Sequence, residues 1–298
     1  MPMKKYHLIL DTEFLTQKCE SKRVPLCIYQ VGGCIGYYDA IYKRFRIVTS
    51  FSFSIRECLE NDQWWKDNED KTLHKSDKWD CGRRKTLLSN AEGFLVSWKE
   101  CLLHIQQLME EYDITSVIGS NIFQSDQCAF FETAKKLGDF GIVSINGKDM
   151  FTRPNVVYLD LLYQTARVIS YCQKRTKAYV DFICKKGDSL NVKQETLYQF
   201  FRHSPSYKQS HDALKDVMDA TFLLSHVFRH HIVKKYGVDA FALNVLKRGI
   251  RNIMPKRSHR PISDAAVNTF HKTYLTRQIY PYGHVLRNKT IYTDLKCA

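Results

Sequence analysis

Three consecutive segments near the start of the chain, YHLILDTEF (6–14), IYQVGGCIGY (28–37) and RFRIVTSF (44–51), are rich in β-branched and aromatic residues, with turn-type residues between them. Each reads as a strand. Three strands in a row with no helix between them imply an antiparallel meander. The periodicity then changes. Trp98, Cys101, Leu102, Ile105, Leu108, Met109 and Tyr112 recur at three- and four-residue spacing, which predicts a helix over 94–112 with a charged opposite face. SVIG (116–119) is a short apolar strand, and 125–137 a helix with Ser125 as N-cap and Gly138 as stop. A hairpin at Asn146-Gly147, a strand over 156–159 and helices near 161–171, 192–201 and 212–235 follow. This β-β-β-α-β-α-β-α order predicts an α/β protein: a mixed sheet, part antiparallel meander and part parallel strands, flanked by helices.

With 298 residues, 44% hydrophobic and 13% aromatic, the chain can bury a sizeable core. Its apolar runs fall short of the roughly 18 residues of a membrane span, and MPMKKYHLILDTEF has no signal-peptide core, so no membrane partner is expected. Ten cysteines without a CxxC pair are read as free thiols of an intracellular protein in a reducing compartment. Neither they nor His230-His231 have zinc-finger spacing. The net charge of +14 points to a polyanionic partner, and its location is informative. Residues 229–298 hold 14 of the 45 basic residues and 3 of the 31 acids, a net +11. The expected organisation is a catalytic body over 1–236 and a basic C-terminal extension over 237–298.

Two acids in the first strand, Asp11 and Glu13, are two residues apart and so leave the same face of the sheet, while Leu10 and Thr12 face the other way. Converging carboxylates suit a hard cation such as Mg²⁺, although an isolated DxE is a common pattern. The segment SHDALKDVMDA (210–220) is more specific. His211 precedes Asp216 by five residues at the start of an amphipathic helix whose buried stripe is Leu214, Val217, Met218 and Thr221.

Here the sequence resembles the DEDDh exonucleases, which include polymerase proofreading subunits, oligoribonuclease, ribonuclease T and the three-prime repair exonucleases. Their first motif is matched by Asp11 and Glu13, their third by His211 and Asp216, and their second-strand segment by QVGG (30–33). Their second motif points to Asp126 in SNIFQSDQCAFF; Asn121 precedes it by five residues, where four is usual. The resemblance covers roughly 6–235, and ribonuclease-H-like nucleases share the element order. It implies a 3′-to-5′ exonuclease acting on single-stranded 3′ ends of DNA or RNA, with two Mg²⁺ or Mn²⁺ ions held by Asp11, Glu13, Asp126 and Asp216. It also implies that His211 is the general base. Asp160 resembles a family position that starts a helix without binding metal.

Candidate nucleic-acid contacts are Leu15, Asn121, Trp64 and Trp65 in the body, with Arg251, Lys256, Arg257 and Arg260 in the extension. The paired tryptophans either stack a terminal base or anchor a helix on the core. The extension, where charge alternates with aromatics, either binds a single strand or is a solvated cap. Asp212 is expected to favour a helix N-terminus and Asp219 to have a different neighbour set. The competing readings are a nucleic-acid-binding protein that keeps the fold without useful catalysis, and a ribonuclease-H or transposase-type endonuclease. The latter gives no reason for the spacing from His211 to Asp216.

Overall fold

The computed structural model describes residues 4–19, 22–60, 84, 87–88, 95–114, 116–122, 125–137, 144–145, 148–149, 157–161 and 193–228. Strands β1 (His7–Cys19), β2 (Lys22–Asp39) and β3 (Arg44–Ile55) form the expected meander, each pair antiparallel. A short helix α1 (Arg56–Leu59) leads towards β4 (Leu95–Val96), which pairs parallel with β3. Helix α2 (Trp98–Glu111), β5 (Ser116–Gly119), α3 (Asp126–Leu137) and β8 (Val157–Asp160) complete the α/β part. Between α3 and β8, β6 (Ser144–Ile145) and β7 (Lys148–Asp149) pair antiparallel around Asn146-Gly147. The six-stranded sheet has the order β4-β3-β2-β1-β5-β8, with β5 parallel to β1 and β8 parallel to β5. This is the mixed sheet, part antiparallel meander and part parallel strands, expected from the element order. Helices α4 (Gln194–Arg202) and α5 (Ala213–Phe228) follow.

Strand alternation gives the sheet two apolar faces. Leu8, Leu10, Val31 and Ile35 pack with Trp98, Ile105 and Met109 of α2 and Phe130 of α3. The opposite face buries Ile9 and Cys34, and there the side of α5 supplies Ala213, Val217, Leu223 and Leu224. Helix α5 is tied to the sheet by Ser225, whose Oγ accepts from the Phe45 N–H at 3.0 Å. Helix α3 is tied by Thr133, whose Oγ1 accepts from the Ile28 N–H at 2.8 Å.

Three expectations need correction. The helix expected from residue 94 begins at Trp98, because Ser97 forms a capping box with Glu100 and the two residues before it pair as β4. The first two strands outrun their apolar segments, continuing as a two-stranded ribbon to Cys19 and Lys22 past register shifts at Glu13/Phe14 and Leu15/Thr16. Not every cysteine is a free thiol, since Cys27 of β2 and Cys58 of α1 are joined by a disulfide, while Cys34 and Cys101 are free and buried. Among the described residues no helix is long and apolar enough to cross a membrane. Trp64, Trp65, Gly138, the helix expected at 161–171 beyond Leu161, and the extension with Arg251, Lys256, Arg257 and Arg260 lie outside the described residues.

Candidate active site

Asp11 and Glu13 leave one face of β1. On that face their cross-strand neighbours on β2 are Gly32, opposite Asp11, and Gln30, opposite Glu13. Gly32 leaves room for a backbone: a Cβ built there would lie 2.3 Å from the carbonyl carbon of Ala213. The first turn of α5 therefore rests on the strand beside Asp11, and Asp216 lies in that turn. Asp212 caps the helix, its Oδ1 accepting from the Lys215 N–H at 3.1 Å and its carbonyl from the Asp216 N–H at 2.8 Å. This agrees with the N-terminal role expected of it.

Glu13, His211 and Asp216 each offer a ligand atom within 4.8 Å of the other two. Two carboxylates and an imidazole at that spacing, on three sides of a small volume, fit a divalent cation by the chemistry of their donors. Asp216 is fully buried, Glu13 half-buried and His211 exposed. Asp216 is held from several directions. Gln209 Nε2 donates to its Oδ2 at 2.6 Å, Ser210 Oγ to its Oδ1 at 3.3 Å, and Gln194 Nε2 of α4 to its backbone carbonyl at 2.7 Å. Asp219, one turn on, accepts from the Tyr207 hydroxyl instead, the separate neighbour expected of it.

Asp126 comes to β1 from the other side. Thr12, whose side chain leaves the opposite face from Asp11 and Glu13, donates to Asp126 Oδ1 at 2.7 Å. Ser125 Oγ lies 2.7 Å from Asp126 Oδ2 and 2.8 Å from the Asn121 carbonyl oxygen, and its one proton serves either. Asp126 is thus anchored on Thr12 and is not one of the three residues that share the 4.8 Å volume. It nevertheless lies close enough for its charge to act on Asp11.

Burial and crowding hold these acids towards the protonated state. Asp11 is raised well above the ordinary carboxylate range, first by burial and then by the charges of Asp126, Glu13, Asp216 and Asp212. Burial pushes Asp216 up to about 6, opposed by the Gln209 hydrogen bond and aided by Asp219. Burial also pushes Asp126 up to about 6, opposed by the hydroxyls of Ser125 and Thr12. The signs give a testable outcome. A carboxyl raised in the folded state contributes stability that is fully present below its unfolded value, near 3.8, and lost as pH rises through its folded value, about 6 for Asp216. In EDTA, the melting temperature is expected to fall as pH rises from about 4.5 to 6.5, against the usual trend for paired carboxylates. Adding Mg²⁺ or Mn²⁺ at pH 7 should recover it. Thermal melts at several pH values check this, and a melting temperature that climbs over that window would refute it.

The remaining candidates are placed as follows. Leu15 is only 4% exposed and packs in the core, which leaves its side chain little surface for a ligand. Asn121 adopts a left-handed backbone, φ 60°, its N–H donates to Asp160 Oδ1 at 2.9 Å, and its Oδ1 is buried without a hydrogen-bond partner among the described residues. Asp160, at the end of β8, therefore holds the turn that leads to Asp126. Sequence reasoning missed Thr12, Gln209 and Ser210 as supports of the acids. The signal for Thr12 was available: it is the polar residue between two acids on a buried strand.

No family model matches the chain, and no curated protein matches it in sequence. Solved structures do. The zinc-bound form of an E. coli exonuclease I complex with single-stranded DNA aligns with a TM-score of 0.44 and 14% identity, over 78% of this chain and 43% of that one. A second exonuclease I structure, described as suggesting how processivity is achieved, gives the same score and identity over 82% of this chain and 44% of that one. The chain spans less than half the length of these structures.

Proposed function

We propose that the chain is a metal-dependent nuclease that removes nucleotides from the 3′ end of single-stranded DNA or RNA. The observation that carries this reading is the convergence of Glu13, His211 and Asp216 within 4.8 Å, beside Asp11, whose proton affinity is raised first by burial and then by the charges of four neighbouring acids. Carboxyl groups gathered at one strand, with proton affinities raised by burial and by one another, are what functional sites are built from. Mg²⁺ or Mn²⁺, held by Glu13, Asp216 and Asp11 and, for the second of the two ions that the family resemblance implies, by Asp126, would stabilise charge on the attacking and leaving oxygens of a phosphodiester. The protein's own residues do the rest. His211, exposed at the mouth of the acid cluster, takes the proton of the attacking water. Gln209 and Ser210 fix the Asp216 carboxylate so that it does not turn away when the charge around it changes. The basic extension over 237–298 supplies sequence-independent attraction for the strand.

One observation favours the alternative, a nucleic-acid-binding protein with little or no catalysis: Asp126 is engaged by Thr12 outside the shared volume. A single assay separates the two. With Mg²⁺ or Mn²⁺, an oligonucleotide labelled at its 5′ end is expected to shorten through a ladder, one ending in a 3′ phosphate to resist, and a circular strand to stay intact. Tight binding with no shortening in either metal would establish the binding-only alternative, and equal cutting of circles and linear strands would establish an endonuclease.

A further inference from the structure

The proposed chemistry leaves one buried polar side chain at the site without a role. Gln30 is 3% exposed, lies opposite Glu13 in the sheet register, and reaches across to the residues that follow His211. Its Oε1 accepts from the Ala213 N–H at 3.3 Å, and its Nε2 donates to Asp212 Oδ2 at 3.3 Å and to Ser52 Oγ of β3 at 3.4 Å. One amide thus links the strand beside Glu13 to the helix start that carries Asp216 and to the next strand of the sheet.

The residue on the other side of that link is under strain. His211 has φ 51°, in the left-handed region that a side chain with a Cβ disfavours. Such a conformation persists only where both flanks are held. The preceding flank is held by Gln209, whose N–H donates to Glu195 Oε2 at 3.0 Å and whose side chain donates to Asp216. The following flank, Asp212 and Ala213, is held by Gln30.

We infer that Gln30 is a positioning residue: it clamps the left-handed turn at His211 and so sets His211 and Asp216 against Glu13. The inference rests on the nuclease reading for its kinetic consequence and not for the clamp itself. An amide is suited to the task, because it donates to the Asp212 carboxylate and accepts from a backbone N–H at once, which neither a carboxylate nor an apolar side chain does.

The test uses the full chain in four forms: wild type, Gln30→Met, Gln30→Glu, and the double variant Gln30→Glu with Asp212→Asn. The double variant reverses the polarity of the pair, so that an amide at 212 donates to a carboxylate at 30, which still accepts from Ala213. Three quantities are measured: kcat and KM on a labelled oligonucleotide, Mn²⁺ affinity by electron paramagnetic resonance, and hydrogen exchange of the Ala213 amide. Gln30→Met is expected to lower kcat about 10- to 100-fold with little change in KM, to weaken Mn²⁺ binding, and to speed Ala213 exchange. Gln30→Glu should lower kcat similarly, and the double variant should recover most of that loss. A double variant no better than Gln30→Glu, or wild-type kcat in Gln30→Met, overturns the inference. Should Gln30→Met not fold, the comparison of Gln30→Glu with the double variant decides alone. If the wild type lacks nuclease activity, the nuclease reading fails, and exchange and Mn²⁺ affinity decide the clamp by the same rescue: recovery in the double variant supports it and no recovery overturns it.

Discussion

Glu13→Gln and Asp216→Asn are each expected to reduce metal-dependent hydrolysis by about 10³-fold or more while leaving the fold intact. The two substitutions keep shape and remove charge from residues that share one small volume with His211. For Asp216 the structural side can be argued closely. The residue is fully buried, its carboxylate is pushed up to about 6 by burial, and Gln209 donates to one of its oxygens at 2.6 Å. An amide oxygen at that position accepts the same bond, and the cost of burying a charge disappears. The metal-free Asp216→Asn protein should therefore melt at or above the wild-type temperature at pH 7, even as turnover is lost. Activity and stability moving in opposite directions is the signature of a site residue, because loss of a merely structural carboxylate would lower both. Turnover at the wild-type level in either variant would remove that residue from the site.

How far this site was legible in the sequence depends on which physical rule governs each residue. Asp11 and Glu13 were readable because strand alternation is local, and two residues of spacing suffice to put both on one face. The start of α5 was readable because Asp212 is a capping residue, but of the expected stripe Leu214, Val217, Met218 and Thr221 only Val217 and Thr221 are buried: Ala213 packs on Gly32, which turns Ala213, Asp216 and Ala220 inward and leaves Leu214 and Met218 half-buried. Asp126 was less so. Its place at a helix start is local, but the direction of its carboxylate is set by Thr12, which is 114 residues away in the chain. The same holds for the disulfide between Cys27 and Cys58, 31 residues apart, whose contact depends on how α1 folds back under β2. Strand β4 was hidden for another reason: Leu95 and Val96 continue the apolar pattern of the helix behind them, and only the Ser97 cap separates the two. Local rules therefore delivered the residue types, and non-local packing delivered their orientation.

Gly32→Ala is expected to be the most damaging single methyl in the chain's described part, and the reason is what that methyl would meet. Its neighbours would be backbone atoms, Ala213 C at 2.3 Å, Leu214 N at 2.4 Å and Ala213 O at 2.7 Å, none of which can rotate aside. Ordinary contact between heavy atoms is about 3.5 to 4.0 Å, so the first turn of α5 has to lift by roughly 1 Å or more. Overpacking of this kind costs about 1 to 3 kcal/mol of stability. The larger effect falls on the site, since Asp216 and His211 ride on the turn that moves while Glu13 stays with the sheet. A misplacement of that size costs about 10²-fold in rate. Gly33→Ala is the control. Gly33 pairs with Leu10 on the opposite face, and its added methyl would meet the Phe51 ring at 2.2 Å, so it should destabilise the fold without lifting α5. Melting temperature and kcat measured on both variants below their melting transitions give the comparison. The expected pattern is a loss of stability in both and a loss of kcat in Gly32→Ala alone. Equal kcat in the two would show that the contact between α5 and β2 does not set the geometry of the acids.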